Sequence, residues 1–487
     1  MANDDTRPER DSSATPSQST RGDGDTPEEV RVFTSAARLH RQGKLEEALN
    51  GYAEAIRINP RFAEPYNNMG VLLRRMGRGE AAAACYRRAL ALKPGSASFL
   101  SNLGNVLREL GQHESAAANH QRAVNISPNT PEPIYNLGLV LRDMGHLREA
   151  LGCFTKAISL KPDYIDAHWD HSLTLLQMGH YEDGFREYEW RWRLPNNTNR
   201  LAERARWDGA ADIAGKTLLL QQEQGMGDMI QFIRYARLVK ECGARQVIVE
   251  CAPPLSRLFA TAPGVDRIVL KGDPLPPFDF YVPVMSLAAI FGTTLDAIPG
   301  TFPYLSAPSI HNVRIPVPNG TLLKIGIAWA GKPTHQNDRN RSCPLEHFIK
   351  LTGFHGAAFY SLQVGPHSQD LNKWSCQALV SDLSPKLGDF ADTAAAMQQL
   401  DLVVAVDTSV IHLAGALGKE VWALLPYACD WRWLSGRSDT PWYPSMKLFR
   451  QDKAGDWKEM FEKKVTPALG QKLKALATNS GDGRPRV

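Results

Sequence analysis

LDLVVAVDTSVIHLAGALGKEVWALL, residues 400–425, changes its pattern partway along. Leu400 to Val406 is aliphatic and β-branched with one charge, as in a strand buried on both faces of a parallel sheet. Asp407, Thr408 and Ser409 can each accept a backbone N–H at a helix start. Val410 to Leu417 then reads as a helix closed by Gly418 at the C′ position. A strand turning into a helix in this way aims unpaired N–H groups and a positive helix end at one spot, which suits a phosphate. Ala414, Gly415 and Ala416 would let the helix pack closely. The same residues would also serve as a plain, well-capped βα unit, so other stretches must decide.

The same rhythm runs upstream. Lys216 to Gln222 predicts a strand, Met229 to Cys242 a helix and Gln246 to Cys251 the next strand, with further strands at Arg267 to Leu270 and Phe278 to Val282. After a Pro-rich link, Ala307 to Pro318, come a strand at Leu322 to Trp329, a helix from Pro344, a strand at Ala358 to Gln363 and a helix at Ala391 to Leu400. These are two doubly wound, Rossmann-like lobes, residues 207–310 and 320–478, with a cleft between the carboxyl ends of their strands where ligands bind in such folds. Asp456 to Ala477 is helical in pattern and would cross back to the first lobe.

At 487 residues the chain is expected to hold two or three domains. The balance of 56 Lys plus Arg against 52 Asp plus Glu, a net +4, is too small to argue for nucleic acid or an anionic membrane. Seven cysteines without a C-x-x-C pair argue against a disulfide framework and a zinc site, which fits a cytoplasmic protein. No run reaches the length of a membrane span, and the first residues lack the apolar core of a signal peptide. Residues 1–28 are too polar to repay ordering and read as a disordered tail.

Between tail and lobes the sequence repeats. Gly43, Gly77, Gly111, Gly145 and Gly179 are spaced by 34, as are Leu39, Leu73, Leu107, Leu141 and Leu175, and Pro60, Pro94, Pro128 and Pro162. Small residues recur at Ala48, Ala82, Ala116 and Ala150, and at Ala55, Ala89, Ala123 and Ala157, where paired helices would approach. The period and pattern resemble the tetratricopeptide repeat, implying five repeats over 29–198 in an α-helical solenoid with a concave groove. Such arrays generally bind peptides or proteins. Asn67, Asn68, Asn102, Asn105 and Asn136 fall near groove-facing positions and would hold a peptide backbone, or would simply be solvated. In the fifth repeat Gly184 replaces the helix Ala, and Trp190 and Trp192 are expected to seal the array's end.

Candidate chemistry lies at the strand ends. The first strand leads into Glu223-Gln224-Gly225-Met226-Gly227-Asp228, two glycines that would let the backbone turn and a carboxylate at the mouth of a helix. Asp228 could act as general base toward a hydroxyl, or cap the helix from Met229. The loop from Trp329-Ala330-Gly331 to Ser342 carries Lys332, Arg339 and Arg341, cations that would neutralise a diphosphate. Apart from Asp23-Gly24-Asp25 in the tail there is no Asp-x-Asp motif to hold a divalent metal, so no metal and no cofactor are expected.

Glu-Gln-Gly-x-Gly-Asp, then Trp-Ala-Gly with Asn-Asp-x-x-Arg-Ser, then Asp-Thr-x-x-x-His-Leu-Ala-Gly-Ala-Leu-Gly resemble the GT-B glycosyltransferases related to bacterial heptosyltransferases, over about residues 207–475. With repeats ahead of it, the chain is similar to tetratricopeptide-fused glycosyltransferases that modify proteins, including bacterial flagellin glycosyltransferases. The resemblance implies an inverting enzyme. Asp228 would be the base, with Glu223, Gln224, Gly225 and Gly227 around it on the acceptor side. Asp407, Thr408, Ser409 and His412 would hold the nucleotide-sugar donor, Asp407 capping the helix and taking a sugar hydroxyl, with Lys332 and Arg341 supplying charge. Asn68, Asn102 and Asn136 would lie in the groove that recruits a protein acceptor such as flagellin. A tetratricopeptide scaffold with non-catalytic lobes, or an enzyme acting on a lipid or polysaccharide precursor, remains open. Asp430-Trp431-Arg432-Trp433 and Pro441-Trp442-Tyr443-Pro444, typical of the fused group, would wall the donor base or pack the lobe, with packing the preferred reading.

Overall fold

The computed structural model describes residues 26–195, 197–309, 311, 313–334 and 337–481. Most of the tail expected over 1–28 therefore lies outside the described residues, as does 482–487, and Glu28 already opens the first helix. Packing divides the chain at Thr174/Leu175, so the second helix of the fifth repeat belongs to the α/β unit and not to the array.

In the first unit, helices pair as Glu28–Arg41 with Leu45–Ile58, Ala63–Arg75 with Gly79–Leu92, Ala97–Glu109 with His113–Ile126, and Pro131–Asp143 with Leu147–Leu160. The Gly and Leu registers turn out to be two halves of one cap. Gly43, Gly77, Gly111 and Gly145 all take positive φ, between 73° and 80°. The residue after each glycine donates its N–H back to the register leucine, Lys44 to Leu39 at 3.0 Å and Arg78 to Leu73 at 2.8 Å. Both alanine registers are fully buried. Each pair closes where a small residue faces a ring, and a Cβ on Gly70, Gly104 or Gly138 would stand 2.7, 2.5 or 2.7 Å from Tyr86, His120 or Phe154.

The groove reading of Asn68 and Asn102 is corrected here. Both are buried, as is Asn67. Asn102 donates to Asn67 at 2.9 Å, Asn67 donates to Asn68 at 3.1 Å and Asn68 reaches the Tyr52 hydroxyl at 3.5 Å, so these amides tie successive repeats together. Asn136 is half-buried. Ion pairs run alongside: Arg74 with Glu109 and Arg108 with Asp143, each 35 residues apart, and the buried Arg142 with Asp170.

In the second unit, β1 (Thr217–Gln221), β2 (Gln246–Cys251), β3 (Arg267–Leu270) and β4 (Phe280–Pro283) form an all-parallel sheet in the order β3-β2-β1-β4. β5 (Leu323–Ala328), β6 (Ala357–Ser361), β7 (Val380–Asp382), β8 (Leu402–Val406), β9 (Glu420–Leu425) and β10 (Met446–Arg450) form a second parallel sheet in the order β10-β9-β8-β5-β6-β7. β8 is buried at every position, as its aliphatic run predicts. The buried face of the Tyr181–Glu187 helix and the 3-10 turn after it carries Tyr181, Phe185 and Tyr188, whereas Trp190 and Trp192 are half-buried under Arg193 and Arg191. Tyr181 and Phe185 pack edge-on against Trp431, and the Trp442 indole donates to the Tyr181 hydroxyl at 2.9 Å. Those tryptophans pack, as expected. Among the described residues no helix is long and apolar enough to cross a membrane.

Candidate functional site

The loop after β1 is strained at one residue, and it is not a glycine. Gln224 takes φ of 57° and donates to the Tyr188 hydroxyl at 2.8 Å, while Gly225 and Gly227 keep ordinary negative φ. The helix opens at Met226, three residues earlier than expected, with Gly225 at its N-cap. Asp228 thus sits in the first turn, where its Oδ2 accepts the Gly225 N–H at 2.8 Å. Glu223 departs from its expected place around the base. It is buried and accepts both Nε and Nη2 of the fully buried Arg191, at 2.8 and 3.0 Å, and the Met285 N–H at 2.8 Å. Its carboxylate is consumed in holding the 3-10 turn Tyr188–Arg193 to the first lobe.

In the second lobe the helix Ser409–Ala416 follows β8 with Thr408, not Asp407, at the N-cap. The Asp407 carboxylate instead accepts the Trp433 indole N–H at 2.9 Å, so the expected cap by Asp407 is not made. Burial raises the Asp407 carboxyl, and the neighbouring Asp430 raises it further. The Thr408 hydroxyl caps nothing: its Oγ1 is buried and has no hydrogen-bond partner.

The two turns meet. A Cβ on Gly227 would lie 2.9 Å from the His412 ring and 3.6 Å from Ser409 Cα, so glycine is required there by close approach. His412 is buried, shares a 2.9 Å hydrogen bond with the Tyr443 hydroxyl and lies against the Trp433 ring. Burial, reinforced by Arg432, pushes its imidazole down to about 3, so it is neutral near pH 7. It is a packed, polar wall of the site.

A residue that joins the lobes at this point, Arg432, went unread in the sequence. Arg432 is 3 % exposed and donates Nε to Gln231 Oε1 at 2.6 Å, Nη1 to Asp430 Oδ1 at 2.8 Å and Nη2 to Asp228 Oδ1. Its guanidinium lies 4.3 Å from the Trp431 ring centroid. Burial alone would favour its neutral form, but Asp430 and Asp228 hold its pKa above the ordinary arginine value. Burial would also raise the Asp430 carboxyl, yet Arg432 keeps it well below the usual range. Flanking charge types could have flagged Arg432, but nothing local says that its partners lie about 200 residues upstream.

Of the three cations in the loop after β5, Lys332 and Arg339 are exposed. Arg341 turns inward, reaching the Asp407 carbonyl at 3.4 Å and Asp338 at 3.3 Å. The structure therefore gathers Asp228, Gly227, Asp407, Thr408, Ser409, His412 and Arg341, adds Arg432 and Asp430, and removes Glu223 to a structural role.

Residues 61–129 and 95–163 match the tetratricopeptide repeat model and residues 37–77 a further TPR repeat model, so this part of the chain carries tetratricopeptide repeats. Protein FlbA of Caulobacter vibrioides is 25% identical over 295 residues, 56% of this chain and 48% of its own. The chain thus spans about half the length of that curated relative. Among solved structures, MamA 41-end from Desulfovibrio magneticus RS-1 is 22% identical with a TM-score of 0.33, covering 36% of this chain and 98% of its own. YrrB, a TPR protein described as having an unusual peptide-binding site, is 24% identical with a TM-score of 0.31, covering 35% and 87%. PilF of Pseudomonas aeruginosa is 19% identical with a TM-score of 0.34, covering 44% and 85%.

Proposed function

We propose that the α/β unit is a GT-B glycosyltransferase, which moves a sugar with inversion from a nucleotide-sugar donor to a hydroxyl in the cytoplasm. The array would recruit a protein whose Ser or Thr accepts the sugar, flagellin being one candidate. The observation that carries this reading is the meeting of two strand-to-helix turns from two parallel sheets, with the Asp228 carboxylate on one side. On the other side are Arg341 and a Thr408 hydroxyl left unpartnered at a helix start. A diphosphate at that helix start would receive the Thr408 O–H and the first backbone N–H groups, and Asp407 would take a sugar hydroxyl. A metal-independent route would place the leaving group's charge on these donors and on Arg341.

One observation favours the rival reading, a tetratricopeptide scaffold whose lobes bind without catalysing. Both Asp228 oxygens are engaged, one by Arg432 and one by the Gly225 N–H. Thermal stabilisation by UDP, GDP, ADP and CMP separates the two. A ligand at about 100 times its Kd adds roughly 2.7 kcal/mol to the unit that binds it. Stabilisation by one nucleotide, weakened in Thr408→Ala, is expected. No response to any at millimolar concentration would leave the scaffold.

A further inference from the structure

Arg432 is held from three sides, by Gln231 of the first lobe, by Asp430 of its own segment and by the ring of Trp431. Gln231 leaves its own Nε2 buried and without a partner while its Oε1 accepts from Arg432. A buried ion pair of this kind is weak evidence for stability, because desolvating both charges offsets their attraction. What the arrangement does secure is direction. With Arg432 fixed, Asp228 Oδ1 is fixed, and the plane of the carboxylate with it.

We propose that Arg432 is the positioning residue for Asp228, holding Oδ1 so that Oδ2, on a side chain still 17 % exposed, receives the acceptor's proton. This rests on the glycosyl-transfer reading. Oδ2 takes the hydroxyl proton as the acceptor oxygen bonds to the anomeric carbon. The bond from that carbon to the diphosphate oxygen breaks, and its electron pair leaves with the nucleoside diphosphate. Arg432 keeps its proton throughout. Asp228 faces Arg432 from the second lobe and Tyr188 on its own side.

The test is nucleoside diphosphate release by the full chain from UDP-, GDP- and ADP-sugars, read as kcat and as donor KM. In Arg432→Met kcat should fall at least about tenfold, with donor KM nearly unchanged. Arg432→Lys, which keeps a donor toward Asp228, should lose less of kcat. Asp430→Asn removes one of the contacts that fix Arg432 and should also lower kcat at nearly constant donor KM, and it decides the matter if Arg432→Met does not fold. A wild-type chain that releases product, with kcat unchanged in these variants, overturns the inference alone. A wild-type chain that turns over no donor overturns the glycosyl-transfer reading and the inference with it.

Discussion

Replacing His120 by phenylalanine should make the array less sensitive to acid and more stable at neutral pH. His120 stands in the ring register with Tyr52, Tyr86 and Phe154, wholly buried against Gly104, and neither of its ring nitrogens has a partner. Burial, with Arg108 and Arg74 adding repulsion, pushes its imidazole down to about 3 from an ordinary histidine value near 6.5. A depressed folded value means that protons prefer the unfolded chain. The stability is therefore complete above about pH 6.5 and is lost as pH falls toward 3. At pH 5 the unfolded imidazole is mostly charged and the folded one is not, which costs about 2 kcal/mol relative to pH 7.5 at 1.36 kcal/mol per unit. Phenylalanine removes that dependence and both unsatisfied nitrogens, and Phe154 shows that the same site opposite a glycine accepts it. Hydrogen exchange at the helices Ala97–Glu109 and His113–Ile126, at pH 7.5 and 5.0, reads the local free energy in the full chain. Wild type and variant losing equal stability between the two pH values would refute the reasoning.

Gly227→Ala should destabilise the α/β unit by about 1 kcal/mol or more, because the added carbon meets a buried ring whose hydrogen bond to Tyr443 resists movement; calorimetry of the variant checks it. Thr408→Val removes a buried hydroxyl with no partner, so it should raise the melting temperature of the free protein while reducing its response to nucleotide. Glu223→Gln leaves half of the Arg191 clamp unanswered and should cost about 3 kcal/mol in denaturant unfolding, well beyond the effect of an exposed pair such as Arg186 with Glu182. Asp228→Ala should abolish transfer while leaving nucleotide affinity nearly intact, measured by product release and thermal stabilisation side by side, and full activity would remove Asp228 as base.

What could be read in advance was periodic. The register of 34 placed the glycines and leucines that make each helix cap, and the aliphatic runs placed β2, β3 and the strand leading into the Thr408 turn, because each signal repeats within the reach of one element. Depth was harder. The spacing of Asn68 and Asn102 gives their helix face, yet whether that face is open or closed depends on the neighbouring repeat; for Asn102 the preceding one supplies Asn67 as a partner 35 residues away. Helix starts slipped for a related reason. Asp228 has the chemistry of an N-cap, but the backbone turns earlier, at Gln224, where a tie to Tyr188 supports a conformation that glutamine does not favour alone.

Arg432 shows why the centre of the site was the least legible part. In sequence it sits in Asp-Trp-Arg-Trp, a run whose bulk suggests packing, and the tryptophans are indeed buried. Its partners Asp228 and Gln231 lie one turn apart on a helix of the other lobe, so the contact exists only once two separate sheets have formed and come together. No local pattern encodes such a meeting. What the sequence does hold is a demand for it. A buried guanidinium between aromatic residues needs acceptors, Asp430 satisfies one edge, and the remaining N–H groups must find oxygen elsewhere. Asking where that oxygen comes from leads to the carboxylate read as the base. The two features singled out separately, a packing run and a catalytic loop, are therefore one unit. A change at Arg432 should be felt at Asp228 before it is felt in the core.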